Sequence, residues 1–389
     1  MLINLGAVTK IIVTGYFYAQ NQNGRVYIVK NIKNVDLKEW GLSQSIISEF
    51  EEKYNGYYLG RVLEEHRNLY KIITESGKLV GQISGKMKYE AIDRLDYPAV
   101  GDWVALDRLG DQEGNAIING VLARKSKFSR KIAGKTSEEQ IIAANIDVLF
   151  ICMALNHDFN LQRLERYTSL AWNSGATPVV ILTKADLCDD VDEKIEEVMG
   201  AAPGVDTHAV SAINDLGLEQ VKTYVQFGKT VSFVGSSGVG KSTLINRILG
   251  FESQETGVIR EDDDKGRHTT TYRELVLAPN GGVLIDTPGM REIHLLDDTD
   301  GIESSFSDIE ELASKCKFSD CEHVNEPGCV VRAALETGEL SQRRFGNYLK
   351  LKREAEFMER KLNKVAQTNY KKQFVKRAKS RKNMKKYGL

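Results

Sequence analysis

One segment decides most of what this chain can fold into: "TVSFVGSSGVGKSTLINRILG", residues 230–250. Val231 to Val234 give a short apolar strand signal. Gly235, Ser236, Ser237, Gly238, Val239, Gly240, Lys241 and Ser242 then fit G-x-x-x-x-G-K-[ST] without a gap, and Thr243 follows. Leu244, Ile245 and Ile248 recur at helical spacing up to Gly250, a residue suited to ending a helix. Strand, glycine loop and helix are the context in which this motif binds phosphate. Glycines let the backbone turn several N–H groups toward one anion, and the helix N-terminus adds partial positive charge. Lys241 can reach the β- and γ-phosphates, and the Ser242 hydroxyl can bind Mg2+. A chance glycine-rich turn would not carry both flanks.

A companion element lies downstream. "GGVLIDTPGM" reads as a strand, Val283 to Ile285, ending in Asp286-Thr287-Pro288-Gly289, with Asp286 45 residues after Lys241. An aspartate at a strand end can hold Mg2+ through water, and the Gly289 N–H can bond a γ-phosphate and so register its loss. Between the two runs "DDDKGRHTTTYRE", residues 262–274, polar and rich in hydroxyls. Thr270 or Thr271 is expected to supply the second protein ligand of Mg2+, and spacing does not separate them. In many GTPases a glutamine follows the D-x-x-G glycine and orients the attacking water. Here that place holds Met290, whose thioether cannot do so. His268, beside the proposed Mg2+ threonines, is the candidate to orient or deprotonate water. A plain solvated loop histidine is the competing reading.

The base reader comes earlier in the chain than the phosphate loop. In "VVILTKADL", residues 179–187, Val179 to Leu182 look like a buried strand with Thr183-Lys184-Ala185-Asp186 at its end. A carboxylate at Asp186 can accept from the N1–H and exocyclic amine of guanine, donors that adenine does not offer in that arrangement. The Lys184 stem can lie along the base plane. The usual first residue is Asn, whose amide braces the phosphate loop; Thr183 is shorter. Further on, "THAVSAIND" gives a strand ending at Ser211-Ala212, where the Ala212 N–H can meet guanine O6. The order is therefore base reader, base-side loop, phosphate loop, Mg2+ loop, γ-phosphate sensor. This is a GTPase order cut and rejoined through residues 213–230, with a new start at the strand "NIDVLFICMAL", residues 145–155. Termini of compact α/β domains often lie close, which makes such a permutation physically reasonable. Alternating strand and helix signals predict a mostly parallel, doubly wound sheet.

The flanks read differently. "YYLGRVLEEHRNLYKIIT", "KLVGQISG", "AVGDWVALDR" and "NAIINGVLAR" are short β-rich runs within residues 57–133 and predict a small OB-like barrel. Basic residues in "SGKMK" and "RKSKFSRK" suit it to RNA, against the alternative of a barrel that meets only protein. Downstream, Cys316, Cys321, His323 and Cys329 give C-x4-C-x-H-x5-C, three thiolates and one imidazole that suit tetrahedral Zn2+. Four soft ligands leave no open position, so the site is expected to be structural, one ion per chain. Cys152 reads as plain core, and Cys188 has no partner nearby. Residues 341–377 are helix-prone. Residues 370–389 carry nine Lys/Arg and no Asp or Glu, which leaves 44 basic against 54 acidic residues on the rest of the chain. A basic end on an acidic body points to a polyanionic partner, with a merely solvated tail as the alternative. Five cysteines, an odd number, argue for a reducing compartment and against a disulfide framework. No apolar run approaches the ~18 residues of a membrane span. "IIVTGYFYA" lacks a basic leader and a cleavage site, so it is not read as a signal peptide. The expected division is 1–56, unassigned; 57–133, RNA-binding OB-like barrel; 134–300, permuted GTPase domain; 301–389, zinc-binding domain with a helical basic tail.

The set of barrel, "LTKAD", "GSSGVGKST", "GRHTTT", "DTPGM" and zinc run resembles the RsgA (YjeQ) family of circularly permuted bacterial GTPases over about residues 57–389. That resemblance implies a multidomain α/β protein with an OB-like barrel, a permuted P-loop GTPase domain and a small C-terminal zinc-binding helical domain. It also implies a cytoplasmic, monomeric factor that binds the small ribosomal subunit and its rRNA late in maturation and hydrolyses GTP to GDP, with Mg2+, when engaged. Two other classes stand beside it: a P-loop phosphotransferase acting on a small molecule, and an RNA-binding module with nucleotide as a structural ligand.

Overall fold

The structure is a computed structural model. It describes residues 35–66, 69–91, 94–110, 114–131, 139–156, 158–250, 274–286, 300–319, 321–323 and 326–356, with the backbone of four strands among the first 29 residues. Those strands, β1 (Leu2–Asn4), β2 (Thr9–Val13), β3 (Tyr16–Gln20) and β4 (Val26–Val29), form an antiparallel sheet in sequence order. Helix α1 (Gln44–Lys53) follows; Ser43 caps it by accepting the Ile46 N–H.

Strands β5 (Tyr58–His66), β6 (Leu69–Thr74), β7 (Gly77–Ile83), β8 (Trp103–Leu106) and β9 (Ala116–Val121) close into a barrel in the order β5-β6-β7-β9-β8. The first β-rich run of the sequence supplies two of these strands, a hairpin. Strand β7 buries every second residue, Gly77, Leu79, Gly81 and Ile83, as a strand with one face on a core must. Val62, Tyr70, Ile72, Val104 and Ile118 fill the interior. A short helix α2 (Gly85–Glu90) leads out of β7. Strands β10 (Lys127–Lys131) and β11 (Glu139–Ala144) pair antiparallel between the barrel and the next layer.

The nucleotide-site sheet contains β12 (Val148–Ala154), β13 (Thr177–Thr183), β14 (Asp206–Val210), β15 (Thr230–Val234), β16 (Glu274–Leu277) and β17 (Val283–Asp286). Their order is β14-β13-β12-β15-β17-β16, all parallel except β16. Being covered on both faces, β12 is a continuous apolar run, as parallel strands tend to be. Leu149, Ile151 and Met153 face one core, with helices α3 (Leu161–Ser174) and α4 (Val191–Ala201). Phe150, Cys152 and Ala154 face the other, with α5 (Leu218–Lys222) and α6 (Lys241–Leu249). The sheet is doubly wound, as the alternation of the sequence predicts. Cys152 is core, its thiol pushed up to about 12 by burial.

The first of these cores continues beyond the sheet. Val35, Leu37, Trp40 and Ile46 join Leu63 and Trp103 of the barrel and Phe128 of β10. Residues 35–53 are therefore part of the folded body. At the other end, α7 (Asp300–Ser305), α8 (Ser307–Ser314), α9 (Val330–Thr337) and the helical residues 342–356 enclose a separate core of Phe306, Ile309, Val331, Tyr348 and Leu351. Among the described residues, no helix is long and apolar enough to cross a membrane.

Candidate functional site

Strand β15 ends at Val234 and the chain turns at once. Gly235 sits at φ +148°, and a Cβ there would stand 2.2 Å from the Cys152 carbonyl oxygen. The loop passes so close over β12 that only glycine fits. Gly238 and Gly240 also take positive φ. Val239 is buried, which anchors the loop, and Ser236, Ser237, Ser242 and Thr243 are half-buried. Leu244, Ile245, Ile248 and Leu249 seat α6 on the core, so its first turn is fixed relative to β15. The Lys241 ammonium donates to the carbonyls of Gly235 at 2.7 Å and Ser236 at 2.6 Å, which holds a cation over the glycine loop.

The base reader meets this loop. Thr183 closes β13, and its hydroxyl donates to the Val239 carbonyl. A side chain shorter than the usual asparagine thus spans the gap between strand end and phosphate loop. Lys184 adopts a left-handed backbone, φ +58°, a conformation that costs a non-glycine residue about 1 kcal/mol. The 3-10 turn Ala185–Leu187 then buries Ala185 and exposes Asp186. Beside it β14 ends at Ser211, which is fully buried. The Ser211 N–H donates to the Leu216 carbonyl at 3.0 Å and its hydroxyl accepts the Asn214 N–H at 3.3 Å. The Ala212 carbonyl accepts from Arg247 Nε of α6 at 2.8 Å. Sequence reading missed Arg247; a basic residue in the last turn of a helix is common for dipole reasons alone. Phosphate loop, base reader and base-side loop therefore gather at one edge of the sheet, the first two joined by the Thr183–Val239 bond and the third held by Arg247 of the helix that follows the phosphate loop.

Strand β17 lies next to β15 and brings the Asp286 backbone to the same edge. The Asp286 side chain lies outside the described residues, as do Gly289, Met290, His268, Thr270, Thr271 and the basic tail 370–389.

Cys316, Cys321, His323 and Cys329 come together, with their ligand atoms all within 4.8 Å of one another. Cys316 Sγ is 3.9 Å from Cys329 Sγ and 3.7 Å from His323 Nδ1, which is 3.4 Å from Cys329 Sγ. A tetrahedron with metal–sulfur bonds near 2.3 Å has edges of about 3.8 Å, so the donor set fits zinc. The start of α9 supports thiolates. The Arg332 N–H donates to Cys329 Sγ at 3.4 Å. Burial pushes the Cys316 thiol up, but N–H donors from Val331 and Val330 and the neighbouring thiols outweigh it and hold Cys316 below its ordinary value. Burial also lowers the His323 pKa, favouring the neutral imidazole that binds metal. His323 reaches this place through a left-handed backbone, φ +63°, and its ring packs against Phe345.

A family model for "RsgA GTPase" matches residues 121–296. A second, for "ABC transporter", matches residues 218–381, a span that includes the same phosphate loop. The relatives decide between them, because they match over more than four fifths of the chain. The small ribosomal subunit biogenesis GTPase RsgA 2 of Lactiplantibacillus plantarum is 46% identical over 323 residues, covering 83% of this chain and 90% of that protein. RsgA 1 of Oceanobacillus iheyensis is 43% identical over 341 residues, 85% of this chain and 97% of that one. The crystal structure of YjeQ from Thermotoga maritima superposes with a TM-score of 0.58 at 28% identity, over 77% of this chain and 98% of its own. That of YloQ, described as a circularly permuted GTPase, gives 0.54 at 23% identity over 78% and 96%, and bears on the fold alone. With a permuted sheet, a phosphate loop tied to a base reader and relatives this similar over most of its length, the chain belongs to the RsgA family of small ribosomal subunit biogenesis GTPases and is a GTP hydrolase.

Proposed function

We propose that the chain binds the small ribosomal subunit late in its maturation and hydrolyses GTP there, with turnover stimulated by the particle. The hydrogen bond from Thr183 to Val239 supports the site most directly. It joins base reader to phosphate loop although the chain order between them is reversed. In this reading Asp186 reads the N1–H and amine of guanine, Lys184 lies along the base, and Ala212 meets O6. The N–H groups of residues 235–243 and the Lys241 ammonium hold the phosphates. Ser242, Asp286 and Thr270 or Thr271 would hold Mg2+, whose charge offsets that developing on the phosphates. Gly289 registers the γ-phosphate, and His268 orients the attacking water. One zinc ion held by Cys316, Cys321, His323 and Cys329 would be structural, since the four protein donors complete a tetrahedron. The barrel, residues 57–133, and the basic residues 370–389 contact rRNA, while residues 134–300 turn over nucleotide and 301–389 hold zinc. A cytoplasmic monomer fits the ribosomal partner named for the relatives.

Single-turnover GTP hydrolysis with and without saturating small subunits tests this. The particle should accelerate the wild type many-fold. His268→Ala should bind GTP yet lose most of that stimulation. No acceleration of the wild type would sink the ribosomal reading, and a variant as fast as wild type would exclude His268 alone.

A further inference from the structure

The base-side turn of residues 211–217 is fixed at its two ends and lightly held between them. Ser211 is tied by its N–H and its hydroxyl. Asp215 and Gly217 take left-handed backbones, φ +57° and +71°, and a Cβ at Gly217 would stand 2.1 Å from the Ala209 carbonyl oxygen. Burial does not secure the middle, because Ile213 is 73% and Leu216 57% exposed. The bonds at Ser211 close the turn around the peptide between Ala212 and Ile213 but do not hold its carbonyl. Arg247 constrains it, its Nε donating to the Ala212 carbonyl at 2.8 Å. Its ion pair with Asp215 is 3.7 Å long between side chains 46% and 65% exposed, and such a surface pair holds little. The carbonyl bond is the contact that sets geometry.

We infer that Arg247 is a positioning residue for guanine recognition: by holding the Ala212 carbonyl it fixes the turn that presents the Ala212 N–H to O6 of the base. This rests on the reading of Asp186 and Ala212 as the base readers. Arg247 stands on the same helix that begins at Lys241 and Ser242. Less than two turns of helix, a rise of about 9 Å from Lys241 to Arg247, thus connect the phosphate end of the site to its base end. The Ser211 and Arg247 bonds do not use the Ala212 N–H itself, which stays available to a ligand. A hydrogen bond to O6 needs a heavy-atom distance near 2.9 Å, so a turn free to drift would weaken this contact while sparing the phosphates.

The test uses the full chain and two nucleotides, GDP and 6-thioguanosine diphosphate. The second keeps the N1–H and amine that Asp186 reads and replaces only O6, by a weakly accepting sulfur. Wild type should prefer GDP. Arg247→Ala should weaken GDP about threefold to tenfold, the worth of one modest hydrogen bond, and leave the thio-nucleotide within about twofold. Arg247→Gln, whose amide N–H can donate to the same carbonyl, should recover part of the GDP affinity. An equal loss for both nucleotides, or none for either, would overturn the role of Arg247 while leaving the base readers standing. A wild type that does not distinguish the two nucleotides would overturn the reading of Ala212, and the role of Arg247 with it.

Discussion

Arg61 on β5 and Arg344 in the helical residues 342–356 are both buried, 1% and 4% exposed, and each sits at a junction between domains. Both donate to backbone carbonyls, but only Arg344 has carboxylates among its described hydrogen-bond partners. The described hydrogen bonds of Arg61 all reach neutral acceptors: the Gly101 carbonyl at 3.1 Å, the Asn145 carbonyl at 3.3 Å, the Thr230 hydroxyl at 3.0 Å and the Trp40 carbonyl. Burial pulls its pKa down to about 10, against the charges of Asp147 and Asp102. Arg344 also donates to two carbonyls, Ala201 at 2.6 Å and Ser305 at 2.9 Å, but it meets Asp308 at 2.7 Å and Glu165 at 3.2 Å as well, and these carboxylates outweigh burial and raise its pKa. A guanidinium clamped by carbonyls draws four stretches of backbone into register, one of them the start of the phosphate strand. A guanidinium held by carboxylates docks one surface on another. The cores agree with this difference. One apolar core runs unbroken from residues 35–53 through the barrel and the β10–β11 pair to the sheet, whereas the C-terminal helical domain with the Cys/His cluster encloses its own. Barrel and nucleotide sheet should therefore behave as one unit, and the C-terminal domain as a docked neighbour.

The largest expected effect breaks the second unit and spares the first. Chelation, or Cys321→Ser, removes a ligand set whose metal contributes several kcal/mol to a small fold. Residues 300–356 should become protease-sensitive while guanine-nucleotide affinity changes less than about threefold. Loss of nucleotide binding together with zinc would mean that the two regions are not separable. Metal content of the purified protein, about one zinc per chain in wild type and less in the variant, is the direct check.

Arg61→Met comes next. It removes a donor from four buried acceptors, of which the Gly101 carbonyl alone keeps a described second donor, Asn145 Nδ2 at 3.1 Å, a loss of about 3–5 kcal/mol. Urea unfolding should keep a single transition for barrel and sheet together, shifted to lower denaturant. A split into two transitions would show that Arg61 alone fuses them; a shift worth less than about 1 kcal/mol would show that the apolar core suffices. Arg344→Met strips the Ala201 and Ser305 carbonyls of a donor but should cost less, about 2–3 kcal/mol, because Glu165 keeps Arg343 at 3.4 Å and Asn347 as partners and Asp308 is half-exposed. That loss should appear as undocking of the C-terminal domain, seen as proteolysis near residues 300–306, with the main transition unmoved. A main transition that falls as far as it does for Arg61→Met would erase the contrast.

Why these arginines escaped the sequence reading is instructive. The phosphate loop, "TKAD" and the Cys/His run were legible because their chemistry needs fixed residue types at short spacing. The doubly wound sheet was legible because apolar strands and amphipathic helices alternate in plain view. Arg61 sits in "YYLGRVLEEH", where an arginine in a strand reads as solvent-facing; its partner Thr230 is 169 residues away. Glu165 sits in a helix whose charged residues read as a wet face, yet it is 1% exposed under Arg343 and Arg344. Trp40 and its neighbours lie upstream of any motif, and only the fold shows that they complete a core begun by the barrel. The Thr183 brace was the opposite case: the motif was seen, but whether a short hydroxyl could span the gap depended on how closely Val239 approaches.

The smallest effect probes a contact beside the first joint. Strand β16 begins at Glu274 and packs near β5, which brings the Glu274 carboxyl within electrostatic reach of Glu64. Burial pushes the Glu64 carboxyl up, but hydrogen bonds from Lys71 at 2.8 Å and His66 at 2.6 Å outweigh it and hold Glu64 ionised below its ordinary value. Glu274 moves the other way, raised by burial and then by the charge on Glu64, with Lys78 and Lys71 only partly offsetting it. A carboxyl whose folded pKa is raised contributes stability that is complete below its unfolded value, near 4.5, and is lost as pH climbs through the folded value. In that window the protonated Glu274 can donate to the Glu64 carboxylate; above it, two like charges face each other. Glu274→Gln keeps a donor and cannot ionise, so the fall in stability just above pH 4.5 should flatten. Although its carboxyl is partly desolvated, Glu274 as a whole residue stays exposed, so screening should keep the difference below about 1 kcal/mol. Urea midpoints measured at several pH values for wild type and variant decide the matter. Parallel curves would mean that the barrel rests on the sheet through Arg61 and the shared apolar core, with no part played by this carboxyl pair.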